Sequence, residues 1–187
     1  MDSYKVSQIC NLFHRNGLIK QFNRFVSFDT HYSQRGSEAR TQDAQLSVLG
    51  KAIAAFDESI QAVGMDTDVT TFSMSDFGRT LRPASGAGSD HAWGNHWFVL
   101  GGAVAGGQVL GQFPSLVLGG AEDADPGRGG RHVPTTSTDQ VGATLMQWLG
   151  LPASQLNNVF PNLANFTQKT VPFFKVNPLN GLDPIVV

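Results

Sequence analysis

Residues 46–80 read LSVLGKAIAAFDESIQAVGMDTDVTTFSMSDFGRT, and this stretch decides the fold. Leu46, Leu49, Ile53, Phe56, Ile60 and Val63 recur at spacings of three and four. That spacing predicts an amphipathic helix with one apolar stripe, and Gly64 is placed to end it. Residues 69–74 are rich in β-branched and aromatic side chains and predict a strand. The strand runs into a polar, turn-like loop, Ser75-Asp76-Phe77-Gly78-Arg79-Thr80. A helix feeding a strand that ends in polar residues is the unit from which α/β domains are built.

Upstream, apolar residues at Tyr4, Ile9, Leu12, Phe13 and Ile19 predict a short helix ending near Gly17. Residues 24–28 predict a brief strand leading into Asp29-Thr30-His31. Downstream, residues 97–100 predict another buried strand stopped by Gly101-Gly102, and Val109-Leu110 a short local one. Residues 119–134 hold five glycines and two prolines and predict a long loop. Ser137 and Gln140 have the spacing of a capping box. Val141, Leu145, Trp148 and Leu149 then give a helical stripe closed by Gly150 and Pro152. Residues 167–187 are expected to wrap the surface as coil or edge strand. The order of elements predicts an α/β domain with a largely parallel sheet.

Composition narrows the function classes. The 187 residues fit one domain, and 41% hydrophobic with 15% charged side chains supplies a core and argues against disorder. A formal net charge of −2 gives no basic excess for nucleic acid and no basic stripe for a membrane surface. No apolar run approaches the roughly 20 residues of a membrane helix, and the first twenty residues lack the apolar core of a signal peptide. The single cysteine, Cys10, excludes an internal disulfide framework.

Three polar clusters follow or adjoin predicted strands: Asp29-Thr30-His31, Ser75-Asp76 through Arg79, and Asp90-His91 with His96 nearby. In open parallel sheets, ligands sit beyond the carboxyl ends of the strands. Carboxylates and imidazoles gathered there bind divalent metals such as zinc. A lone Asp at a strand end ordinarily caps a turn, so the argument rests on Asp29-x-His31 and Asp90-His91 occurring together. Arg79 has two readings, a fork onto a substrate anion or a structural partner of Asp76. Trp93 and His96 read as packed aromatics, and His132 as an exposed loop residue. The paired glycines at 101–102 and 106–107 lack the Lys and Ser/Thr of a phosphate-binding loop. No G-x-S-x-G elbow frames a serine nucleophile.

The segments FDTH (28–31), SDFGRT (75–80), GSDHAWGNH (88–96), GGAVAGG (101–107), PTTSTDQ (134–140) and FPNL (160–163) resemble, in order, the signatures of the DUF1501 family. That family is similar to the alkaline-phosphatase-like superfamily of phosphatases and sulfatases. The resemblance implies a doubly wound α/β sheet around a metal pair. It implies that residues 1–166 are the C-terminal part of one such domain and that 167–187 form a tail. Asp29, His31 and His91 would ligate one metal, with Asp90 counted among the metal residues, and zinc is the divalent ion that such donors suit. Asp76 would stand at the second metal, where Phe77 cannot ligate. Arg79 would be the one catalytic side chain.

The superfamily opens with a strand bearing a metal-binding Asp and a helix bearing a nucleophile, and the family with a Gly-Gly-x-Asp-Gly segment. Nothing before Phe28 matches either, so the resemblance implies a sheet incomplete at its N-terminal side and no nucleophile. An unpaired sheet edge would then favour association. Related full-length proteins are usually exported to the periplasm or beyond the cell. Two functions stand open. One is a metal-dependent hydrolase-type domain acting on a small anionic ester, inactive as this fragment. The other is a non-catalytic metal-, carbohydrate- or surface-binding module.

Overall fold

The computed structural model describes residues 11–14 and 28–175. It is a mixed α/β chain with two small sheets. The predicted long helix is α1, Gln42–Ala62. Thr41 caps its start, with Oγ1 accepting from Ala44 N at 3.4 Å. Gly64 ends it in the left-handed region at φ +70°. Its apolar stripe is only half covered: Leu49, Ile53, Phe56 and Ile60 are partly buried, and Leu46 and Val63 are exposed. No described helix is long and apolar enough to cross a membrane.

The main sheet has three strands in the order β1 (Asn11–His14), β2 (Val69–Phe72), β5 (Val99–Leu100). Both pairings are antiparallel, with Leu12 opposite Thr71 and Thr71 opposite Leu100. A two-stranded antiparallel ladder, β3 (Gly78–Arg79) with β4 (His91–Ala92), makes the second sheet. The expected parallel sheet is therefore corrected: every strand pair among the described residues is antiparallel. The reason is that Val69-Thr70-Thr71-Phe72 is buried along its whole length. Burial on both faces gives the same composition whichever way the neighbouring strands run.

Other local expectations also change. Residues 11–14 form a strand rather than part of a helix; the rest of residues 4–19 lies outside the described residues. The expected strand at 24–28 lies there too, apart from Phe28, which is buried but in no strand. Val109 and Leu110 form no strand and are exposed. Residues 97–98 fall outside β5; Phe98 O accepts from Ser73 N at 3.0 Å, while Phe98 N donates to the Ser73 hydroxyl at 2.9 Å.

The second long helix, α2 (Thr138–Trp148), begins with the predicted capping box. Gln140 N donates to Ser137 Oγ at 3.2 Å, and Ser137 N donates to Gln140 Oε1 at 2.9 Å. From α2, Leu145 packs against Phe72 and Phe173 in one core cluster. Ala143 packs against Leu156 and Leu163 in a second, on the short helix α3 (Leu156–Val159) and the turn after it. Phe173 corrects the surface-tail expectation: it is 5% exposed, and Val104 bridges to Phe174 beside it. Residues 176–187 lie outside the described residues.

Candidate metal centre

Three segments build the site. Residues 28–34 run beside 86–89: Ser89 N donates to Thr30 O at 3.2 Å, and Tyr32 bridges Ala87. The 86–92 segment then enters β4, which pairs with β3 so that Arg79 stands opposite His91. The fit is tight enough to require glycine at Gly88, where a Cβ would lie 2.1 Å from the His31 carbonyl carbon. The site thus stands on a two-stranded ladder and a neighbouring extended segment, not at the end of a parallel sheet.

These segments bring Asp29, His31 and His91 together, with one ligand atom from each lying within 4.8 Å of the others. His31 Nε2 is 3.0 Å and His91 Nε2 is 2.8 Å from Asp29 Oδ1. The two imidazoles stack, with centroids 5.0 Å apart. A tetrahedral zinc with bonds of about 2.1 Å needs ligand atoms about 3.4 Å apart. The Asp29 oxygen lies a few tenths of an ångström closer than that to each imidazole nitrogen, so a small parting of the side chains would admit the ion, and the donor types suit zinc.

Arg79 makes three hydrogen-bond contacts inside the site, and its Nε is buried with no partner among the described residues. Its Nη2 donates to Asp29 Oδ1 at 2.7 Å and to Phe28 O at 2.9 Å, and its Nη1 donates to Ser89 O at 2.6 Å. The guanidinium ties together the two segments that carry the triad, and its carboxylate partner is Asp29 in place of Asp76. Burial raises the Asp29 pKa, but hydrogen bonds from His91 and Arg79 and the charges of His31 and Arg79 outweigh it. The carboxyl is held below the ordinary aspartate range and stays ionised.

Phe77, which cannot ligate, lies flat on His91 with centroids 3.9 Å apart and an interplanar angle of 7°. Its loop is pinned by Asn95, whose Nδ2 donates to Phe77 O at 2.8 Å. Asp76 is exposed and stands outside the Asp29, His31, His91 group. Asp90 is not a member of the group either; its Oδ1 lies 3.4 Å from His31 Nδ1, on the far side of the ring from Asp29. His96 is exposed and stacks on Phe113. His132 is half-buried rather than exposed, with Nδ1 3.0 Å from Glu122 O.

One neighbour escaped the sequence reading. Arg131 Nε donates to His91 O at 3.0 Å, its Nη1 pairs with Asp125 at 2.8 Å, and its guanidinium lies over Trp93. It sits in the glycine-rich loop, where spacing carries no signal for a contact made across 40 residues.

A family model described as "Protein of unknown function (DUF1501)" matches residues 6–149. Neither a curated protein nor a solved structure matches the chain.

Proposed function

This chain belongs to the DUF1501 family, and from that premise we propose that Asp29, His31 and His91 hold a single zinc-type cation in a hydrolase-type domain acting on a small anionic ester. The observation that carries the proposal is the convergence of one carboxylate oxygen and two imidazole nitrogens within 4.8 Å. The wider proposal, membership of the alkaline-phosphatase-like superfamily, rests on the resemblance of the motif order alone, since the strand pairs of the described residues are antiparallel.

A cation there supplies Lewis-acid polarisation of an ester oxygen and lowers the pKa of a bound water. The protein's own groups prepare the place. Arg79 fixes Asp29 and so sets where the carboxylate points. With His31 Nε2 turned to the triad, its Nδ1 faces Asp90, an arrangement in which a carboxylate fixes tautomer and ring orientation. Phe77 covers one face of His91 and keeps water from it.

No hydroxyl or thiol among the described residues hydrogen-bonds the triad side chains. On this proposal ester cleavage is by water attack, slower than where a nucleophile and metal act as a unit. The test is zinc titration of the metal-stripped chain, followed by assay on aryl phosphate and aryl sulfate esters beside a His91→Ala variant. We expect one zinc per chain and weak turnover lost in the variant. Failure to bind zinc stoichiometrically would sink the metal centre. Zinc binding with no turnover on either ester would leave a metal-binding module.

A further inference from the structure

Beside the triad lies a shallow cleft, open to solvent, of about 350 Å³, lined in part by Thr80, Arg82, Asp90, Arg128, Gly129 and Arg131. Its two sides are held by backbone bonds: Arg82 N donates to Gly129 O at 2.7 Å and Leu81 N to Gly130 O at 3.2 Å. The floor joins the triad twice. Asp90 Oδ1 is 3.4 Å from His31 Nδ1, and Arg131 Nε donates to His91 O.

Three arginines line this space and they are not equivalent. Arg131 is balanced by Asp125 at 2.8 Å. Arg82 and Arg128 are exposed and make no ion pair among the described residues. The Asp90 carboxylate pairs with His31 and opposes one positive charge, so the lining keeps a surplus of positive charge. A cleft that gathers unpaired arginines on a braced loop is arranged for an anion. The guanidinium fork matches two oxygens of a tetrahedral oxyanion, with geometry that a lysine would not supply. The volume exceeds that of a bare oxyanion and leaves room for an organic group.

We propose that this cleft is an anion subsite that takes the phosphate group of a phosphate ester, with Arg82 and Arg128 as its principal donors. The inference deepens the ester reading above and rests on it for any part in catalysis. Binding itself rests on the arginines alone and needs no metal.

The experiment is calorimetric titration of the full chain, stripped of metal with chelator, with inorganic phosphate and in parallel with sulfate at fixed ionic strength. Arg82→Gln, Arg128→Gln, their double variant and His91→Ala are compared after far-UV circular dichroism. We expect one phosphate per chain, sulfate binding more weakly, at least tenfold weaker phosphate binding in the double variant, and unchanged binding in His91→Ala. Should the double variant lose its fold, a severalfold loss in each folded single variant is the expected result. Absence of saturable phosphate binding, or binding unaltered in the arginine variants, would overturn the subsite. Loss in His91→Ala equal to that in the arginine variants would move the anion to the triad and also overturn it. Tighter binding of sulfate than of phosphate would refute the phosphate assignment. The separate zinc titration decides the metal centre, so the two failures are distinguishable.

Discussion

His91 Nε2 stands 2.8 Å from Asp29 Oδ1 although 62 residues separate them in the chain. The contact is set by backbone register. Arg79 is opposite His91 across β3 and β4, and the same Arg79 reaches Asp29, so three side chains are fixed by one ladder.

Asp90 provides the sharpest test of the centre. If it orients His31 from behind, Asp90→Asn should weaken zinc binding roughly tenfold to a hundredfold and leave the stoichiometry at one. A drop to no binding at all would mean that Asp90 ligates directly, contrary to its 3.4 Å contact with the far nitrogen of His31.

Gly88→Ala should damage the site through the backbone. Its new Cβ would meet the His31 carbonyl carbon at 2.1 Å, so the 28–34 segment must shift. Forcing atoms into filled space costs about 1–3 kcal/mol. Chemical denaturation should show that loss, and zinc affinity should fall with it. Unchanged zinc affinity would show that the segment moves without carrying His31.

Acid stability should depend on Asp123. Its Oδ2 accepts from Gly119 N, and its Oδ1 accepts from Asp125 N and Arg131 N, each at 3.0 Å. The Gly119 bond, against an opposing contribution from burial, and then the other two bonds and the charge of His132 hold its pKa below the ordinary value of 3.8. Below that ordinary value the unfolded chain takes up a proton that the folded carboxylate still refuses. The stabilisation is therefore complete above about pH 4 and is lost as pH falls through the depressed folded value. Denaturant midpoints measured from pH 6 to pH 3 should fall for the native chain. Asp123→Asn should start lower at pH 6 and fall less. Parallel curves would exclude Asp123 as the source.

Leu163 is fully buried against Ala143 and Leu156. Leu163→Ala should lower unfolding free energy by about 2–5 kcal/mol, the range for removing a buried leucine side chain and leaving a cavity. Urea denaturation reads this directly. Because the cluster is built from α2, α3 and the following turn, zinc affinity in the folded variant should be unchanged.

The sequence made α1, β2 and α2 legible because each carries its own local signal: the apolar stripe before Gly64, the β-branched run at 69–72, the Ser137 and Gln140 pair. Asp29, His31 and His91 were legible because metal-binding residue types are few and stood beside predicted strands. Strand direction was hidden because a run buried throughout reports burial and not the orientation of its partner. Phe173 was hidden because two adjacent phenylalanines near prolines show no period. The contacts of Arg79 with Phe28 and Asp29 cross about 50 residues and leave no local signal, and those of Arg131 depend on a loop whose conformation is held by backbone donors to Asp123.

The grip of Arg79 on Phe28 O spans 51 residues, and this has a bearing on the order in which the molecule assembles. Contacts between distant parts of a chain form late, after helices and turns have shortened the path between them. The imidazoles and the carboxylate therefore meet near the end of folding. A cation binding only the finished arrangement holds the native state and leaves the earlier barrier alone. Added zinc should slow unfolding while leaving the refolding rate where it was.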